Sequence, residues 1–351
     1  MKKLNVGLCA FGMSGKIFHA PFYQNHPGFE LKAIVERTKN DSKQLYSNST
    51  TYRSVEELLM DESLDLIVIN TPIQTHFEYC KKAIEAGKHI IIEKPFTVNA
   101  NEARLLVSLA KEKGVMLSVF QNRRFDRDFL QVKDIIDSKK LGKIKEVEIR
   151  FDRYRTQPSS KQHKENPNLP GSGALHDLGA HLIDQAVQLF GMPYSIFADV
   201  LSMKGTEFAN DYFELLLFYS NELRVRLKSS VFTKEDHYAY KIHGINGSFL
   251  QERSDSQEEE LVKGIQPKFG DDWVEKLTTS DGILNYVINS EEEIREELWS
   301  SPSSYMSYFE AVYQYLINGS AVPSPGEEII LNMEIIDAAL QSTNEGKRIQ
   351  L

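Results

Sequence analysis

The chain has 351 residues, 26% of them charged, and a formal net charge of -9. A chain of this length exceeds the size at which a single core usually stops growing, so two domains are expected. The mixed signs and the acidic balance disfavour nonspecific binding to nucleic acid or to anionic membranes, and they indicate a small-molecule partner.

The cysteines and the N-terminal residues bear on the compartment. Cys9 and Cys80 lie in an apolar strand pattern and a helical pattern, so a disulfide framework is not expected. The first residues, MKKLNVGLCAFG, lead directly into a strand and glycines without a long apolar segment or a cleavage site. No run approaches the roughly 18 apolar residues of a membrane-spanning helix. We therefore expect a soluble, cytoplasmic protein.

Short apolar runs alternate with helical patterns over the first 120 residues. The runs are LNVGLCAF, FELKAIVE, LDLIVINT, KHIIIEKP and VMLSVFQN, and the helical patterns include VEELLM, HFEYCKKAIEAG and NANEARLLVSLAKEKG. Because the runs are continuous rather than alternating, they suit a parallel sheet covered on both faces. The rhythm predicts an α/β fold whose residues 1–120 form a doubly wound, Rossmann-type dinucleotide-binding domain.

The pattern changes after residue 120. More alternating runs follow, namely IKEVEIRFDRY, YSIFADVLSM, DYFELLLFY and LRVRLKSSVF, with helical patterns in GAHLIDQAVQLFG, from Ser304 to Asn318 and from Ile329 to Gly346. These features predict an α+β domain with an antiparallel or mixed sheet over residues 121–351, whose last helices could pack back on the first domain. The charged segments SDSQEEELVKG and INSEEEIREELWSSPSS are expected to be surface excursions.

A glycine-rich segment after the first strand suggests a dinucleotide site. In AFGMSG, Gly12 and Gly15 take the second and third positions of the GxGxxG fingerprint, and Ala10 replaces the first glycine. The motif opens a helix, where backbone N–H groups can approach a pyrophosphate. Glycines at this place are also often plain turn residues. The candidate contacts are Phe11, Gly12, Met13, Ser14 and Gly15.

The end of the second predicted strand gives conflicting signals about the cofactor. Glu36 lies about 20 positions after Gly15, which is the offset of the acidic ribose ligand and favours NAD. Arg37 and Thr38 follow directly, and a guanidinium at this place can pair with the 2′-phosphate of NADP. All three could also be solvated residues at a strand end. The cofactor therefore stays open between NADP and NAD.

Two further strand ends lie at the edge of the predicted sheet where the cofactor is expected to bind. The segment NTPIQTH follows a parallel strand, outside the carboxyl end where ligands bind in such sheets. Lys94 follows HIII within EKP, so its ammonium can project toward a nicotinamide ring; an isolated lysine in such a setting is more often a surface charge. The candidate contacts here are Asn70, Thr71, Pro72, His76, Glu93 and Lys94.

The second domain supplies a candidate acid–base pair. In GSGALHDLGAHLIDQ, Asp177 and His181 are four residues apart, so in a helix their side chains share one face. Removing hydride from a secondary alcohol requires a group that accepts the hydroxyl proton near neutral pH, which suits His181. Asp177 could orient the imidazole or bind a neighbouring hydroxyl, and Lys94 could stabilise the developing oxyanion. Isolated DxxxH pairs are more often solvent-facing, but the flanking glycines favour a ligand site.

No metal site is expected. His163, His176 and His181 lack the i, i+4 histidine spacing of zinc helices, and no cysteine cluster accompanies them. Hydride transfer at such a site needs no metal.

Four segments together resemble the Gfo/Idh/MocA oxidoreductases over nearly the whole chain: AFGMSGKIFHAPF, TPIQTHFEYCKKAIEAGKHIIIEKP, VFQNRRFDRDF and GALHDLGAHLIDQAVQLFGMP. Within that family the sequence is most similar to the NADP-dependent scyllo-inositol 2-dehydrogenase group, through LSVFQNRRFDRDFL, LFGMP and IHGINGSF. The resemblance implies a Rossmann domain, a second domain on a large open sheet, and a catalytic set at Lys94, Asp177 and His181.

The resemblance also implies further contacts and an assembly. It places Asn122 and Arg123 near the nicotinamide, and it implies that the open sheet forms the interface of a homodimer or homotetramer. Candidate substrate-lining residues in the second domain are Arg153, Tyr154, Tyr238 and Trp273, although tyrosine and tryptophan more often simply pack.

The most favoured function is an NAD(P)-dependent oxidoreductase that interconverts a secondary alcohol and a ketone on a polyol or sugar, with an inositol-type substrate. Two alternatives remain: a reductase of the same fold for another carbonyl or dihydrodiol substrate, and a non-catalytic protein that senses the cofactor. The joint presence of Lys94, Asp177 and His181 counts against the sensor.

Overall fold

The continuous apolar runs at the start of the chain form a parallel sheet. The protein is described by a computed structural model over residues 2–157, 162–235, 237–270, 273–289 and 292–351. The strands of this sheet are β1 (Leu4–Leu8), β2 (Phe29–Val35), β3 (Thr50–Tyr52), β4 (Leu66–Ile69), β5 (His89–Glu93) and β6 (Leu117–Phe120). Their order is β3-β2-β1-β4-β5-β6, with parallel neighbours throughout. The order reverses between β1 and β4, and ligands of doubly wound sheets bind at the carboxyl edge of such a point.

The alternating runs form a second sheet. Its strands are β7 (Ile144–Arg150), β8 (Ser195–Leu201), β9 (Tyr212–Phe218), β10 (Arg224–Ser230), β11 (Tyr240–Gly244), β12 (Gly247–Gln251), β13 (Gly282–Asn289), β14 (Glu292–Leu298) and β15 (Ile349–Gln350). Their order is β14-β13-β12-β11-β7-β10-β9-β8-β15; β7 and β10 run parallel, and the other described pairs are antiparallel. The predicted fold class, a Rossmann sheet with a mixed, mostly antiparallel second sheet, is confirmed.

The α-helices of the described chain are α1 (Ala20–Asn25), α2 (Asp41–Leu45), α3 (Val55–Leu59), α4 (His76–Glu85), α5 (Ala100–Lys113), α6 (Arg127–Asp137), α7 (Gln162–Glu165), α8 (Ala180–Phe190), α9 (Gln257–Val262), α10 (Met306–Asn318) and α11 (Gly326–Glu345). The ends of α5 show why its sequence starts and stops a helix. The Asn99 side chain accepts a hydrogen bond from the Glu102 N–H at 3.0 Å, and Gly114 adopts the left-handed conformation, with φ of 65°.

Burial follows the two hydrophobic patterns. All four residues of β4 and Ile90–Ile92 of β5 are fully buried, as expected for strands covered on both faces. In β9, buried and partly exposed residues alternate, so one face of the second sheet is covered and the other is open. The helix α8 packs against β10 on the covered face.

One expectation about the charged segments was wrong. The segment INSEEEIREELWSSPSS contains β14, which pairs with β13 at the edge of the second sheet. From Glu293 on, exposed and partly exposed residues alternate along the strand, and charge on an edge strand protects the open edge from pairing with another chain. A charge-rich run can therefore form a strand when a neighbouring strand supplies the backbone hydrogen bonds.

The chain divides into two compact units. The first comprises Met1–Asn122, Ser256–Val274 and Ser304–Ile330, and the second comprises Arg123–Asp255, Glu275–Ser303 and Leu331–Leu351. Two segments from the second half of the sequence, which carry α9 and α10, thus belong to the first unit. Within the described ranges, no helix is both long enough and apolar enough to cross a bilayer.

Candidate functional site

The turn after β1 is held in place by Asn70, which follows β4. The Asn70 side chain donates to the Ala10 carbonyl oxygen at 2.8 Å and accepts from the Ala10 N–H at 2.9 Å. These two bonds join the ends of β1 and β4 where the strand order reverses. Asn70 was predicted as a cofactor contact; its amide shapes the turn that would meet the cofactor.

The two glycines of the turn have different surroundings. A Cβ atom built on Gly15 would lie 2.4 Å from the Ala10 carbonyl oxygen, whereas one built on Gly12 would meet no protein atom within 4 Å. The fold therefore requires glycine at position 15, where a side chain would overlap the backbone. At position 12 no protein atom fills the space beside the glycine. Helical structure begins directly afterwards, with a π-helical turn at Gly15–His19 that runs into α1. An open space at a helix N-terminus fits a pyrophosphate.

Alanine at these two glycines is expected to have separable effects. Gly12→Ala should leave the melting temperature nearly unchanged and weaken cofactor binding, because its methyl group enters the open space. Gly15→Ala should lower both stability and binding, because its Cβ overlaps a backbone oxygen. Thermal unfolding without cofactor and fluorescence titration with NADPH and NADH measure the two effects. Equal losses of stability in both variants would contradict this interpretation.

Glu36 points its carboxylate at its own chain. Its oxygens accept from the N–H groups of Asp41 (3.1 Å) and Ser42 (2.9 Å) and from the Ser42 hydroxyl (2.5 Å), and the residue is only 6% exposed. The carboxylate thus satisfies the first N–H groups of α2, as a helix cap does. Arg37 and Thr38 are exposed and make no hydrogen bond or ion pair within the described parts of the chain.

His76 joins the loops that follow β4 and β5. Its Nε2 lies 2.9 Å from the Thr71 carbonyl oxygen, and its Nδ1 lies 3.0 Å and 3.1 Å from those of Pro95 and Phe96. Burial lowers the pKa of the imidazole, against the backbone hydrogen bonds that raise it. His76 was predicted as a cofactor contact; this buried ring positions Thr71 and the segment after Lys94. Pro72 takes the N-cap position of the short 3-10 turn that precedes α4.

Lys94 follows the last residue of β5 and is partly exposed. Since β1 and β5 are parallel members of one sheet, Lys94 and the turn at Gly12 lie at the same carboxyl edge. The peptide bond between Lys94 and Pro95 is cis. Glu93 accepts a hydrogen bond from the Ser14 hydroxyl of the turn. The strand end thus brings an ammonium group to the edge where the dinucleotide site was predicted.

The segment with Asp177 and His181 is helical, as predicted, but its first turn is a π-helix at Leu175–Gly179 that continues into α8. π-helical turns frequently occur at functional sites. Asp177 is partly exposed and accepts from the Lys164 ammonium at 2.8 Å, while His181 is 4% exposed. The sequence interpretation missed Lys164, since nothing in the local pattern distinguishes it from the lysines around it.

Two polar residues further along α8 have structural partners. Asp184 accepts two hydrogen bonds from the Arg124 guanidinium, at 2.8 Å and 2.7 Å, and one from Asn332 at 2.9 Å. Gln185 accepts from the Tyr240 hydroxyl at 3.2 Å. These hydrogen bonds hold the orientation of the helix that carries His181.

Both parts of the chain match models of one oxidoreductase family. Residues 4–121 match the model described as "Oxidoreductase family, NAD-binding Rossmann fold", and residues 133–351 match "Oxidoreductase family, C-terminal alpha/beta domain". The chain belongs to the Gfo/Idh/MocA family of oxidoreductases. The suspected family is confirmed.

Individual Gfo/Idh/MocA relatives match along almost their whole length. An oxidoreductase of Escherichia coli, YdgJ, is 37% identical over 97% of this chain and 96% of its own. The scyllo-inositol 2-dehydrogenase (NADP(+)) IolW of Bacillus subtilis is 32% identical over 99% of this chain and 96% of its own. A solved structure of the oxidoreductase yvaA from Bacillus subtilis superposes with a TM-score of 0.94 at 32% identity, covering 100% of this chain and 99% of that one.

The other predicted contacts of this Gfo/Idh/MocA protein differ in their exposure to solvent. Asn122 and Arg123 are buried, and the Arg123 guanidinium donates to Asp126 at 3.1 Å and lies 4.7 Å from the centre of the Phe151 ring. Arg153 and Tyr154 are exposed, and Tyr238 is partly exposed. These three side chains are thus accessible to a ligand.

Trp273 is buried in the first unit. Trp273 is 8% exposed, its indole N–H donates to the Ser304 hydroxyl at 2.9 Å, and its ring packs edge-on against Phe22. This geometry favours a packing role over the predicted substrate contact.

Among the residues that the structure describes, no group of three or more histidine, cysteine, aspartate or glutamate side chains could hold a metal ion.

Proposed function

We propose that this Gfo/Idh/MocA member is an NAD(P)-dependent dehydrogenase that interconverts a secondary alcohol and a ketone on a polyol or sugar, with an inositol-type substrate and NADP favoured. The observation that carries the proposal is the position of Lys94, at the same carboxyl edge as the open turn at Gly12. The relative IolW, named as an NADP-linked scyllo-inositol dehydrogenase, supports the substrate class.

The proposed chemistry assigns one task to each group. A bound nicotinamide supplies the acceptor of the hydride. Lys94 donates a hydrogen bond to the reacting hydroxyl oxygen and stabilises the negative charge that develops there. His181 accepts the hydroxyl proton on a ring nitrogen. Asp177, whose carboxylate is held by Lys164, binds an adjacent hydroxyl of the substrate and so orients the substrate ring.

The absorbance of the reduced cofactor tests the function. Wild-type protein is offered NADP and NAD separately with a panel of inositols and aldoses. Reduction of NADP with an inositol is the expected result. Turnover only with other carbonyl or dihydrodiol substrates would favour the alternative reductase, and cofactor binding without turnover of any substrate would favour the sensor.

We further propose that Arg37 selects NADP. Its exposed guanidinium can pair with a 2′-phosphate, whereas the Glu36 carboxylate is occupied by the backbone of α2. Arg37→Ala should lower kcat/KM for NADP about tenfold, the value of one charge-assisted hydrogen bond, and leave that for NAD nearly unchanged. Arg104→Ala, which removes an exposed arginine from α5, is the matched control. Equal losses with both cofactors would count against this selectivity.

We also propose a homodimer or homotetramer formed through the open face of the second sheet. Phe197 and Leu201 of β8 are exposed on that face, and Phe197 lies beside Leu216 of β9. Adjacent apolar side chains on an open sheet favour burial against a second copy. Light scattering should give the mass of two or four chains, and a monomer mass would contradict the proposal.

A cytoplasmic location is proposed from the cysteines. Cys9 and Cys80 are both free thiols in the core of the first unit. Burial raises the pKa of each thiol well above its ordinary value, so both stay protonated and unreactive. This use of cysteine suits a reducing compartment.

A further inference from the structure

We propose that His19 is a positioning residue for the reaction: through Glu93 it holds the dinucleotide turn and the Lys94 strand end in one arrangement. The inference rests on the proposed function, since it assigns the turn to the cofactor and Lys94 to the reacting oxygen. His19 contacts neither, so its effect passes through the Glu93 carboxylate.

One carboxylate oxygen joins three segments. Oε1 of Glu93, the last residue of β5, accepts a hydrogen bond from the Ser14 hydroxyl and lies 2.9 Å from His19 Nε2. Ser14 belongs to the turn, His19 ends the π-helical turn that follows it, and Lys94 is the next residue after Glu93. A shift of the carboxylate would therefore move both the turn and the Lys94 backbone.

Core packing alone does not explain a histidine at position 19. The ring is 0% exposed and lies between aromatic side chains, with centroid distances of 4.7 Å to Phe120, 6.2 Å to Phe309 and 6.4 Å to Tyr23. Its Nδ1 has no hydrogen-bond partner in the described parts of the chain. An apolar residue would fill this space without an unsatisfied nitrogen, so the bond from Nε2 gives the reason for an imidazole.

The negative charge on Glu93 strengthens its hydrogen bond with His19. Burial acts to raise the pKa of the carboxyl group, but the hydrogen bonds from His19 and Ser14 and the charge of Lys94 outweigh it and hold the pKa below its ordinary value. Glu93 is therefore a carboxylate at neutral pH, and His19 donates from Nε2–H. Hydrogen bonds to an ionised acceptor are about twice as strong as neutral ones.

Cofactor binding tests the inference without any substrate. His19→Leu should raise the dissociation constant of NADPH about tenfold or more, the value of one hydrogen bond to a charged group. His19→Gln, whose amide N–H can replace Nε2–H, should recover most of the loss. The matched control is His26→Leu, because His26 is another buried histidine of the first unit, with Nε2 2.8 Å from Glu310. Equal binding losses in His19→Leu and His26→Leu, or no rescue by glutamine, would overturn the proposal.

A double-variant comparison covers the case in which His19→Leu does not fold. His19→Asn places its amide too far from Glu93, so it should weaken NADPH binding in the wild-type background and have no further effect in a Glu93→Ala background. Additive losses would overturn the proposal, since His19 would then act by another route. If wild-type protein binds NADPH but oxidises no polyol, the proposed function fails while these binding constants still decide the role of His19.

Discussion

Lys94→Ala is expected to lower kcat for polyol oxidation about 100- to 1000-fold, which is the loss found when one preorganised donor to a developing oxyanion is removed. The dissociation constant of NADPH should change little, since the turn at Gly12 and the bonds from Asn70 that shape it do not involve the Lys94 side chain. KM for the polyol should also change less than kcat, because the donor acts most strongly on charge that exists only in the transition state.

Stopped-flow absorbance separates these quantities. The matched control is Lys81→Ala, which removes an exposed lysine from α4 in the same unit. An unchanged kcat in Lys94→Ala would exclude an electrophilic role for the ammonium. A loss of cofactor binding equal to the loss of kcat would instead assign Lys94 to holding the cofactor.

His181→Ala is expected to lower kcat about 100- to 10000-fold, the range for loss of a general acid–base group. The buried position of His181 on α8 means that solvent cannot easily replace it as proton acceptor. Cofactor binding should persist, because the proposed cofactor contacts lie almost entirely in the first unit and His181 in the second.

Pre-steady-state and steady-state reduction of NADP by an inositol measure this effect. His243→Ala is the matched control: His243 lies on β11 and its Nδ1 is 2.8 Å from the Ser248 hydroxyl. Comparable activity in His181→Ala and His243→Ala would assign proton transfer to another group. A melting temperature lowered in His181→Ala but not in the control would show that the helix itself depends on the imidazole.

Glu36 and His76 were both predicted as cofactor contacts, and both make their hydrogen bonds within the fold. Glu36 has the spacing of a ribose ligand, yet the start of α2 lies only five residues further on and offers its N–H groups to the same carboxylate. His76 begins α4, in the segment that follows β4, where ligand contacts were predicted, but its ring bonds carbonyl groups of a loop that follows a different strand. Spacing alone cannot rank a ligand against such competing partners.

The sequence by itself determined the fold class, the parallel sheet and the segments that carry Lys94, Asp177 and His181, since periodicity and glycine spacing are local and survive in any arrangement of the chain. Only the tertiary structure decided which side chains from distant parts of the sequence meet. Ser14, His19 and Glu93 meet because β1 and β5 end at one edge, although Glu93 lies 74 residues after His19. A hydrogen bond between residues so far apart in the sequence depends on strand order and packing, which no local pattern encodes.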